Sequence, residues 1–363
     1  MRVLILSANT GGGHNSCAAA LTEQFAHMRV ECETLDALSM ISEKTSSFIS
    51  WGHSYVYRRM PRLFGTAYRF EERHQPQGLY EYFAKGAVHL QEKLLSEHFD
   101  AVICVHVFAG MMMTEIRRCF QNRIPSYFVA TDYTCSPGVS KLDVDAFFIP
   151  HRMLFGEFVR KEIAADKLFA TGIPVREAFF DPFDGREARR ILGIGEAQRV
   201  ILLGCGSMGC GNLGRHALEL AKKLPSDVTL VVLCGKNEEL VRDLGRFSSD
   251  TLRVVGYTKE IPLYMSASDI YLTKPGGLTT TEAIAKRLPM VFVEAVPGCE
   301  TRNLDFLSSI GVGEKTRNWN QAISKTISMV LSDGMLEKQK EQMAHFHAGN
   351  SGRSICRYIL KQL

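Results

Sequence analysis

The residues best suited to chemistry lie between Lys274 and Asn303, a stretch that reads KPGGLTTTEAIAKRLPMVFVEAVPGCETRN. An apolar run, Asp269–Thr273, leads into a lysine, a proline and two glycines, and the sequence then predicts a helix that opens at Leu278–Glu282. Glycines let the backbone approach a ligand closely, and the first turn of a helix has N–H groups without intrahelical partners. With the helix dipole, these features indicate an anion site, for which phosphate is the usual ligand.

The side chains that open this helix suit a phosphorylated sugar. Thr279 and Thr280 can hydrogen-bond to phosphate oxygens, and Glu282 can accept hydrogen bonds from a pair of sugar hydroxyls. The alternative is an ordinary helix with a threonine N-cap and a glutamate in its first turn. Because a cap does not require Lys-Pro-Gly-Gly before it, the motif favours a ligand site.

A second candidate group, His14, lies near the amino terminus. The apolar run Arg2–Ser7 predicts a buried strand, Asn9–Gly13 a glycine loop and Ser16–Met28 an amphipathic helix. This order opens a Rossmann-like half, and it places His14 at the carboxyl-terminal edge of a parallel sheet, where such folds bind ligands. A polar rim residue is the alternative, but a histidine after three glycines at a helix start favours a general base.

The elements that must position these groups alternate between strands and helices, which predicts parallel α/β sheets. Further helices are predicted at Tyr80–Leu95 and along the charged tail Leu336–Leu363, and a linker at Pro174–Gly185 separates the two halves. The other predicted strands are Val30–Asp36, Ala101–Val105, Pro125–Ala130, Ala146–Pro150, Leu168–Thr171, Val200–Leu203, Val228–Cys234, Thr251–Val255 and Met290–Glu294.

The first strand of the second half is followed by GCGSMGCG at Gly204–Gly211, which contains the G-x-G-x-x-G pattern. A dinucleotide site would need an acidic residue at the end of the next strand to bind the ribose. That strand, Val228–Cys234, is followed by Gly235-Lys236-Asn237 instead, so a nicotinamide cofactor is disfavoured.

The segment Lys44–Phe70 differs in composition from its surroundings. It carries five basic and no acidic residues, interleaved with aromatic residues of which Phe48, Trp51 and Tyr55 recur at helical spacing. Aromatic rings at headgroup depth and cations over anionic lipid are what a membrane-interface segment needs. The alternative is a helix that packs its aromatics into the core, and composition does not separate the two.

Length and composition set the remaining limits. A chain of 363 residues with 45% hydrophobic and 23% charged residues predicts a soluble protein of two domains. A net charge of +4 does not favour nucleic acid as a partner, and no apolar run has the ~18–20 residues of a spanning helix. The start does not read as a signal peptide, and ten cysteines without CxxC pairs are typical of reduced, cytosolic thiols. The pair Asp143 and Asp145 directly precedes a strand, so it is interpreted as structural rather than as a site for a divalent ion.

Several motifs together resemble one family over nearly the whole chain: the monogalactosyldiacylglycerol synthase and processive diacylglycerol glucosyltransferase group of glycosyltransferase family 28. The motifs are GGGH at 11–14, GCGSMG at 204–209, GYT at 256–258, KPGGLTTTEAIAKRLPMVF at 274–292 and PGCETRN at 297–303. The resemblance implies the GT-B fold, in which two Rossmann-like parallel-sheet domains face each other across a cleft. The implied domains are 1–173 for the acceptor and membrane docking, 174–335 for the UDP-sugar, and a C-terminal helical segment, 336–363, that crosses back to the first domain.

The resemblance also implies roles for individual residues. His14 would activate the acceptor hydroxyl with Asp132 as a helper, near Gly12 and Gly13. On the donor side, Gly206 and Ser207 would lie at the phosphates or sugar, Tyr257 beside the uracil, Lys274, Gly276, Gly277, Leu278 and Thr279 at the pyrophosphate, Glu282 at the ribose, and Glu300 and Asn303 at the hexose. Trp51, Tyr55, Arg58, Arg59 and Arg62 would face an anionic membrane surface.

The activity implied is inverting transfer of glucose or galactose from a UDP-sugar to diacylglycerol at the cytoplasmic face of the cell membrane. It requires no metal or other cofactor. The alternatives are a related transferase with a polyprenyl-linked or soluble acceptor, or a non-catalytic UDP-sugar sensor. The chain departs from the family where Tyr133–Pro137 replaces the usual His and Trp, and where Cys299 replaces a Gln.

Overall fold

The computed structural model describes residues 1–206, 212–346 and 349–363, with the backbone alone for Ser54, Arg58 and Asp333. The chain divides into two compact units. Unit 1 comprises Met1–Glu177, Val296–Arg302 and Ala348–Leu363, and unit 2 comprises Ala178–Ala295 and Asn303–His347.

Unit 1 is built on a six-stranded sheet in which all neighbouring strands run parallel, in the order β2-β1-β3-β4-β5-β6. The strands are β1 (Arg2–Ser7), β2 (Glu31–Asp36), β3 (Ala101–Cys104), β4 (Ser126–Val129), β5 (Ala146–Ile149) and β6 (Leu168–Ala170). Strands β1, β3, β4 and β5 are apolar because helices cover both faces of a parallel sheet. The strand positions predicted from the apolar runs are confirmed.

The helices of unit 1 begin at the carboxyl ends of these strands or connect them. They are α1 (Gly12–His27), α2 (Glu43–Arg59), α3 (Pro61–His74), α4 (Gln77–Ala84), α5 (Ala87–Glu97), α6 (Val107–Phe120) and α7 (Phe155–Arg160), with short 3-10 helices at Ala37–Met40, Val139–Lys141, Arg152–Leu154 and Ala165–Lys167. Helix α1 begins earlier than predicted, so its first turn contains Gly12, Gly13 and His14.

The single helix predicted at Tyr80–Leu95 is wrong, because α4 and α5 are separated at Lys85 and Gly86. Glycine weakens a helix interior, and here it allows close packing. A Cβ on Gly86 would lie 2.6 Å from Met112 Cε and 3.2 Å from Met40 Cβ.

Unit 2 repeats the architecture with a second parallel sheet of six strands, in the order β12-β11-β10-β7-β8-β9. The strands are β7 (Arg199–Gly204), β8 (Val228–Leu233), β9 (Leu252–Val255), β10 (Ile270–Thr273), β11 (Met290–Phe292) and β12 (Glu314–Lys315). The helices are α8 (Gly185–Ile191), α9 (Leu213–Ala221), α10 (Glu238–Gly245), α11 (Ile261–Ala267), α12 (Gly277–Ala285), α14 (Trp319–Val330) and α15 (Asp333–Phe346). Helix α13 (Cys299–Ser309) and a 3-10 helix at Glu177–Phe179 each begin in unit 1 and continue in unit 2.

The tail predicted as one helical segment contains α15 and a separate last helix, α16 (Ser351–Gln362). Helix α16 belongs to unit 1, where it packs against α1. Glu177 fixes its start by accepting hydrogen bonds from Asn350 Nδ2 and from an Arg353 guanidinium nitrogen, both at 2.7 Å.

Each sheet has one place where the strand order reverses direction, and parallel α/β sheets bind ligands at the carboxyl ends of the strands there. In unit 1 this place lies between β1 and β3, which pair from Val3 with Ala101 to Leu6 with Cys104. In unit 2 it lies between β7 and β10, whose last residues, Gly204 and Thr273, are paired.

The structure also bears on the predicted roles of two aspartates and of the cysteines. Asp143 and Asp145 both form ion pairs with Arg117, which confirms their structural interpretation. Eight of the cysteines in the described ranges are free thiols, but Cys205 is disulfide-bonded, so the expectation that every cysteine is reduced is wrong. None of the helices in the described ranges combines the length and the apolar content needed to cross a bilayer.

Candidate active site

His14 lies in the first turn of α1, at the strand-order reversal of unit 1. Its Nδ1 is 2.9 Å from the Val105 carbonyl oxygen and 3.1 Å from Thr131 Oγ1. A carbonyl oxygen only accepts hydrogen bonds, so Nδ1 carries the proton of the neutral ring and Nε2 carries the lone pair. This tautomer can accept a proton from a substrate hydroxyl.

The surroundings of His14 favour its neutral form. Burial lowers the pKa of His14 below its ordinary value, and the Asp132 carboxylate and the Val105 carbonyl raise it in part. Asp132 is half-buried and follows β4. Because its charge raises the pKa of His14, Asp132 favours the protonated form of that ring.

Two further histidines, His53 and His106, lie beside His14. The ring centroids of His14 and His106 are 4.5 Å apart, edge to face. Burial, followed by the charge of His14, lowers the pKa of His53 to about 4, and the same two causes lower the pKa of His106 well below its ordinary value. Sequence reasoning did not single out His106, because residues far apart in sequence give no signal of contact.

In unit 2, the amino terminus of α12 has the geometry of an anion site. Its N-cap is Gly276, in an extended conformation (φ −77°, ψ 137°), and no side chain caps the helix. The first N–H group to donate within the helix is that of Thr280, to the Gly276 carbonyl oxygen at 3.0 Å, so the N–H groups of Gly277, Leu278 and Thr279 have no intrahelical acceptor. The alternative of a threonine N-cap is therefore wrong.

The structure also brings Gly206 beside this turn. A Cβ on Gly206 would lie 3.7 Å from Thr279 Oγ1, and its φ of +66° favours glycine. Ser207, predicted at the phosphates, lies outside the described residues. Thr280 is not available to a phosphate, because its hydroxyl donates to the carbonyl oxygens of Gly276, at 2.7 Å, and Gly277, at 3.1 Å. That expectation is wrong.

The remaining donor residues of unit 2 lie on the same edge of the sheet or close to it. Lys274 is buried directly after β10, and Glu282 is half-buried on α12. Asn303 is fully buried and donates from Nδ2 to the Pro275 carbonyl oxygen at 3.0 Å, so it braces the loop before α12. Tyr257 is 66% exposed after β9.

Sequence reasoning missed a neighbour of Tyr257. The Lys236 ammonium nitrogen lies 5.4 Å from the centroid of the Tyr257 ring, within cation–π distance. Lys236 follows β8, as a ligand-binding lysine at a sheet edge would, and that position was the only available signal. The pair presents a tyrosine ring and a cation at the carboxyl ends of two adjacent strands.

Glu300 belongs to unit 1 and is 6% exposed. It accepts hydrogen bonds from the Tyr57 hydroxyl and, at 2.7 Å, from the Val296 N–H. These contacts attach the 296–302 segment to α2. The family position held by Cys299 is half-buried, where burial and the Asp132 charge raise the pKa of its thiol well above the ordinary value.

Helices α2 and α3 form an amphipathic pair. On one side, Tyr57 and Phe64 pack edge to face with centroids 5.4 Å apart, and Gly65 packs against Pro297. On the other, Trp51 is 64% exposed and stacks on Tyr55, with 5.4 Å between centroids. The exposed apolar side chains are Phe48, Trp51, Tyr55, Met60, Leu63 and Phe70, and they are defined here as the aromatic face.

The basic residues predicted beside this face are in part described. Arg59 and Arg62 are exposed, while the side chain of Arg58 lies outside the described ones. An open depression of ≈ 510 Å³ lies along α2 and is lined by Glu43, Lys44, Ser47, Phe48 and Trp51. Within the described part of the chain, no three His, Cys, Asp or Glu side chains are grouped to hold a metal ion.

Both halves of the chain match models of known protein families. Residues 14–175 match the model of the monogalactosyldiacylglycerol synthase family, and residues 200–351 match that of the glycosyltransferase family 28 C-terminal domain. The chain is 28% identical over 371 residues to the processive diacylglycerol beta-glucosyltransferase of Bacillus subtilis (strain 168), covering 99% of this chain and 95% of that protein.

Solved structures share the fold at low sequence identity. The crystal structure of Acinetobacter baumannii MurG has a TM-score of 0.65 and 15% identity, covering 99% of both chains. The UDP-GlcNAc 2-epimerase of Neisseria meningitidis, bound to UDP-GlcNAc, has a TM-score of 0.65 and 17% identity, covering 99% of this chain and 100% of that one. Because this fold serves both transferases and epimerases, it does not by itself decide the activity.

The family models decide the class of activity. The two family matches, one in each half of the chain, identify the protein as a glycosyltransferase, and the solved structures show the GT-B fold.

Proposed function

We propose that the protein transfers a hexose, glucose or galactose, from a UDP-sugar to diacylglycerol with inversion, which gives a β-glycosyl diacylglycerol. The observation that carries the proposal is the hydrogen bond from His14 Nδ1 to the Val105 carbonyl oxygen, because it leaves Nε2 as a proton acceptor. The acceptor class follows the name of the Bacillus subtilis relative, and the donor class follows the UDP-sugar bound to the structurally similar epimerase.

The donor half of the reaction is assigned to unit 2. The diphosphate would accept hydrogen bonds from the first-turn N–H groups of α12 and face the Lys274 ammonium, which together stabilise the charge of the leaving UDP. Gly206 would let the backbone approach the phosphates. Tyr257 would stack on the uracil, and Glu282 would accept hydrogen bonds from the ribose hydroxyls. A site of this kind needs no metal ion and no other cofactor.

The acceptor half is assigned to unit 1. The glycerol hydroxyl gives its proton to His14 Nε2 as its oxygen bonds to the anomeric carbon, and the bond from that carbon to the phosphate oxygen breaks. UDP leaves with the bonding electrons, and one displacement inverts the anomeric centre. Asp132 stabilises the imidazolium, and no carboxylate nucleophile is needed.

The aromatic face gives the acceptor half a route to lipid. Exposed rings such as Trp51 and Tyr55 suit the headgroup region of a bilayer, and the exposed Arg59 and Arg62 suit anionic lipid. We therefore place the protein at the cytoplasmic face of the membrane as a peripheral protein. Glu300, which accepts a hydrogen bond from the Tyr57 hydroxyl of α2, and Asn303 remain the proposed hexose contacts.

The test is radiolabelled UDP-glucose and, separately, UDP-galactose, each with vesicles of diacylglycerol and an anionic phospholipid. The proposal expects label in the organic-extractable lipid, with a β-anomeric proton in the NMR spectrum of the product. Absence of lipid-linked label with both donors would contradict it. A panel with polyprenyl-linked and soluble acceptors would then identify another acceptor, and tight UDP-sugar binding without transfer or hydrolysis would identify a sensor.

A further inference from the structure

We infer that His106 is a positioning residue for the base: its ring is fixed by a helix cap and packs against His14, so that Nε2 of His14 keeps its orientation. The inference rests on the proposed function, in which His14 is the general base. Nothing in the family resemblance or in the names of the relatives assigns a role to this residue.

His106 is itself held rigidly. It is the N-cap of α6, in an extended conformation (φ −142°, ψ 147°), and its Nδ1 accepts a hydrogen bond from the Phe108 N–H at 3.1 Å. An accepting Nδ1 carries a lone pair, so the neutral ring of His106 is protonated at Nε2. The Phe108 ring, 4.3 Å away between centroids, packs on the same imidazole.

Two consecutive residues then hold the base from the same turn. The Val105 carbonyl oxygen accepts from His14 Nδ1 at 2.9 Å, and the His106 ring meets the His14 ring edge to face at 4.5 Å. The hydrogen bond sets the tautomer of His14, but a single bond still allows the ring to rotate about it. The ring contact removes that rotation, which is the usual task of groups that orient a catalytic histidine.

The charges around the pair require His106 to stay neutral. The titratable groups that act on His106 are His14 from α1 and His53 from α2, while Asp132, after β4, acts on His14. A proton on one imidazole disfavours a proton on the next, and Asp132 acts on His14. The cluster therefore holds its catalytic proton on His14 while His106 supplies shape and excludes water.

His106→Asn removes the ring contact with His14 but keeps the helix cap, because asparagine is a good N-cap and keeps an acceptor for the Phe108 N–H. The matched control is His151→Asn. His151 is also an N-cap in unit 1, of the 3-10 helix Arg152–Leu154, and its Nδ1 accepts from the Met153 N–H at 3.2 Å, but it follows β5, which is three strands from β1 in the sheet. Should His106→Asn fail to fold, His106→Ser provides a second cap-preserving variant.

We expect His106→Asn to lower kcat by between about 10- and 100-fold, as loss of an orienting group does, and to leave the KM for the UDP-sugar within about two-fold. Water replaces part of the ring, so burial of His14 decreases and its pKa rises toward the ordinary value. The pH below which kcat falls, the acid limb of the pH profile, therefore moves to a higher value. The His151→Asn variant should keep the kcat and the pH profile of the wild type.

Wild-type kcat and an unmoved acid limb in His106→Asn would overturn the inference. A readout independent of turnover is the ¹⁵N chemical shift of the His14 ring across a pH titration. The wild type should show Nδ1 protonated and His106→Asn should show mixed tautomers. If the wild type transfers no hexose, the proposed function fails, and unchanged tautomers in His106→Asn would still overturn the positioning role by itself.

Discussion

At the residue scale, the account depends on how one imidazole is kept neutral and oriented. Two oxygens, the Val105 carbonyl and Thr131 Oγ1, lie within 3.1 Å of His14 Nδ1. Burial opposes protonation of the ring, while Asp132 favours it. This balance suits a base that must take a proton during the displacement and lose it to solvent afterwards.

Replacing His14 by Ala should lower kcat at least about 100-fold, because general-base catalysis contributes roughly that factor or more. UDP affinity should stay unchanged, because the donor is assigned to unit 2. The measurement is transfer of labelled hexose to diacylglycerol under saturating donor. His27→Ala is the matched control, since His27 is an exposed residue of the same helix. An His14→Ala variant with more than about a tenth of wild-type kcat would exclude His14 as the base.

The pH dependence has a defined sign. Only neutral His14 accepts a proton, so activity falls as the pH drops through its pKa. Burial lowers the pKa of His14 below its ordinary value, so the acid limb of kcat/KM should be centred below the ordinary histidine value of about 6.5. An acid limb centred above that value would disagree with a buried base. The measurement is kcat/KM across a pH series in buffers of constant ionic strength.

Sequence reasoning identified residue types but not the direction of every side chain. His14, Lys274 and Thr279 lie at the edges that their motifs predict. Thr280 does not serve as expected, because the helix register turns its hydroxyl back to the Gly276 carbonyl oxygen. His106 was missed, because packing alone brings it to a histidine 92 positions earlier in the chain.

At the element scale, the first turn of α12 should bind the diphosphate through backbone N–H groups. Gly277→Pro removes one of them, and proline is tolerated at this first helical position after an extended residue such as Gly276. We expect the Kd for UDP to rise between about 10- and 100-fold, the range for one hydrogen bond to a charged group. Calorimetric titration with UDP measures it.

Gly277→Ala is the control for this change, because it adds the Cβ but keeps the N–H. It should bind UDP more tightly than Gly277→Pro. Equal Kd values for the two variants would show that bulk at this position, and not the lost donor, weakens binding.

The aromatic face should govern binding to lipid. Trp51→Ala is expected to weaken partition onto anionic vesicles about ten-fold, which corresponds to the burial of one large apolar side chain. The free energy of unfolding should change by less than about 0.5 kcal/mol, because Trp51 is 64% exposed. Vesicle co-sedimentation measures the partition, and Phe247→Ala, at a 56% exposed residue of unit 2, is the control. Equal partition of both variants would remove α2 from the docking surface.

Strands β1 to β11 could be predicted from the sequence, but the two-residue β12 was missed and the order of the strands could not be predicted. That order decides the site, because it places the ends of β1 and β3 together in unit 1 and those of β7 and β10 together in unit 2. Strand order depends on contacts between distant segments, such as Thr273 with Gly204, which leave no local pattern. The close approach of Met112 to Gly86, between α4 and α5, is another contact between distant segments that no local pattern predicts.

At the scale of the whole molecule, the two units each have a parallel six-stranded sheet, and the proposed function assigns them separate tasks. Unit 1 carries the histidine cluster and the aromatic face, and unit 2 carries the uncapped helix and the Lys236–Tyr257 pair. The resemblance recognised in the sequence extended over both halves, and the family models match both. Which hexose is transferred depends on contacts with the sugar ring that no motif specifies.

The central claim is that the donor diphosphate binds at the amino terminus of α12. A crystal structure of the protein with UDP tests it most directly, through the distances from the phosphate oxygens to the backbone nitrogens of Gly277, Leu278 and Thr279. We predict at least two such distances in the hydrogen-bond range of about 2.7–3.2 Å. UDP bound with its phosphates away from this turn would contradict the account.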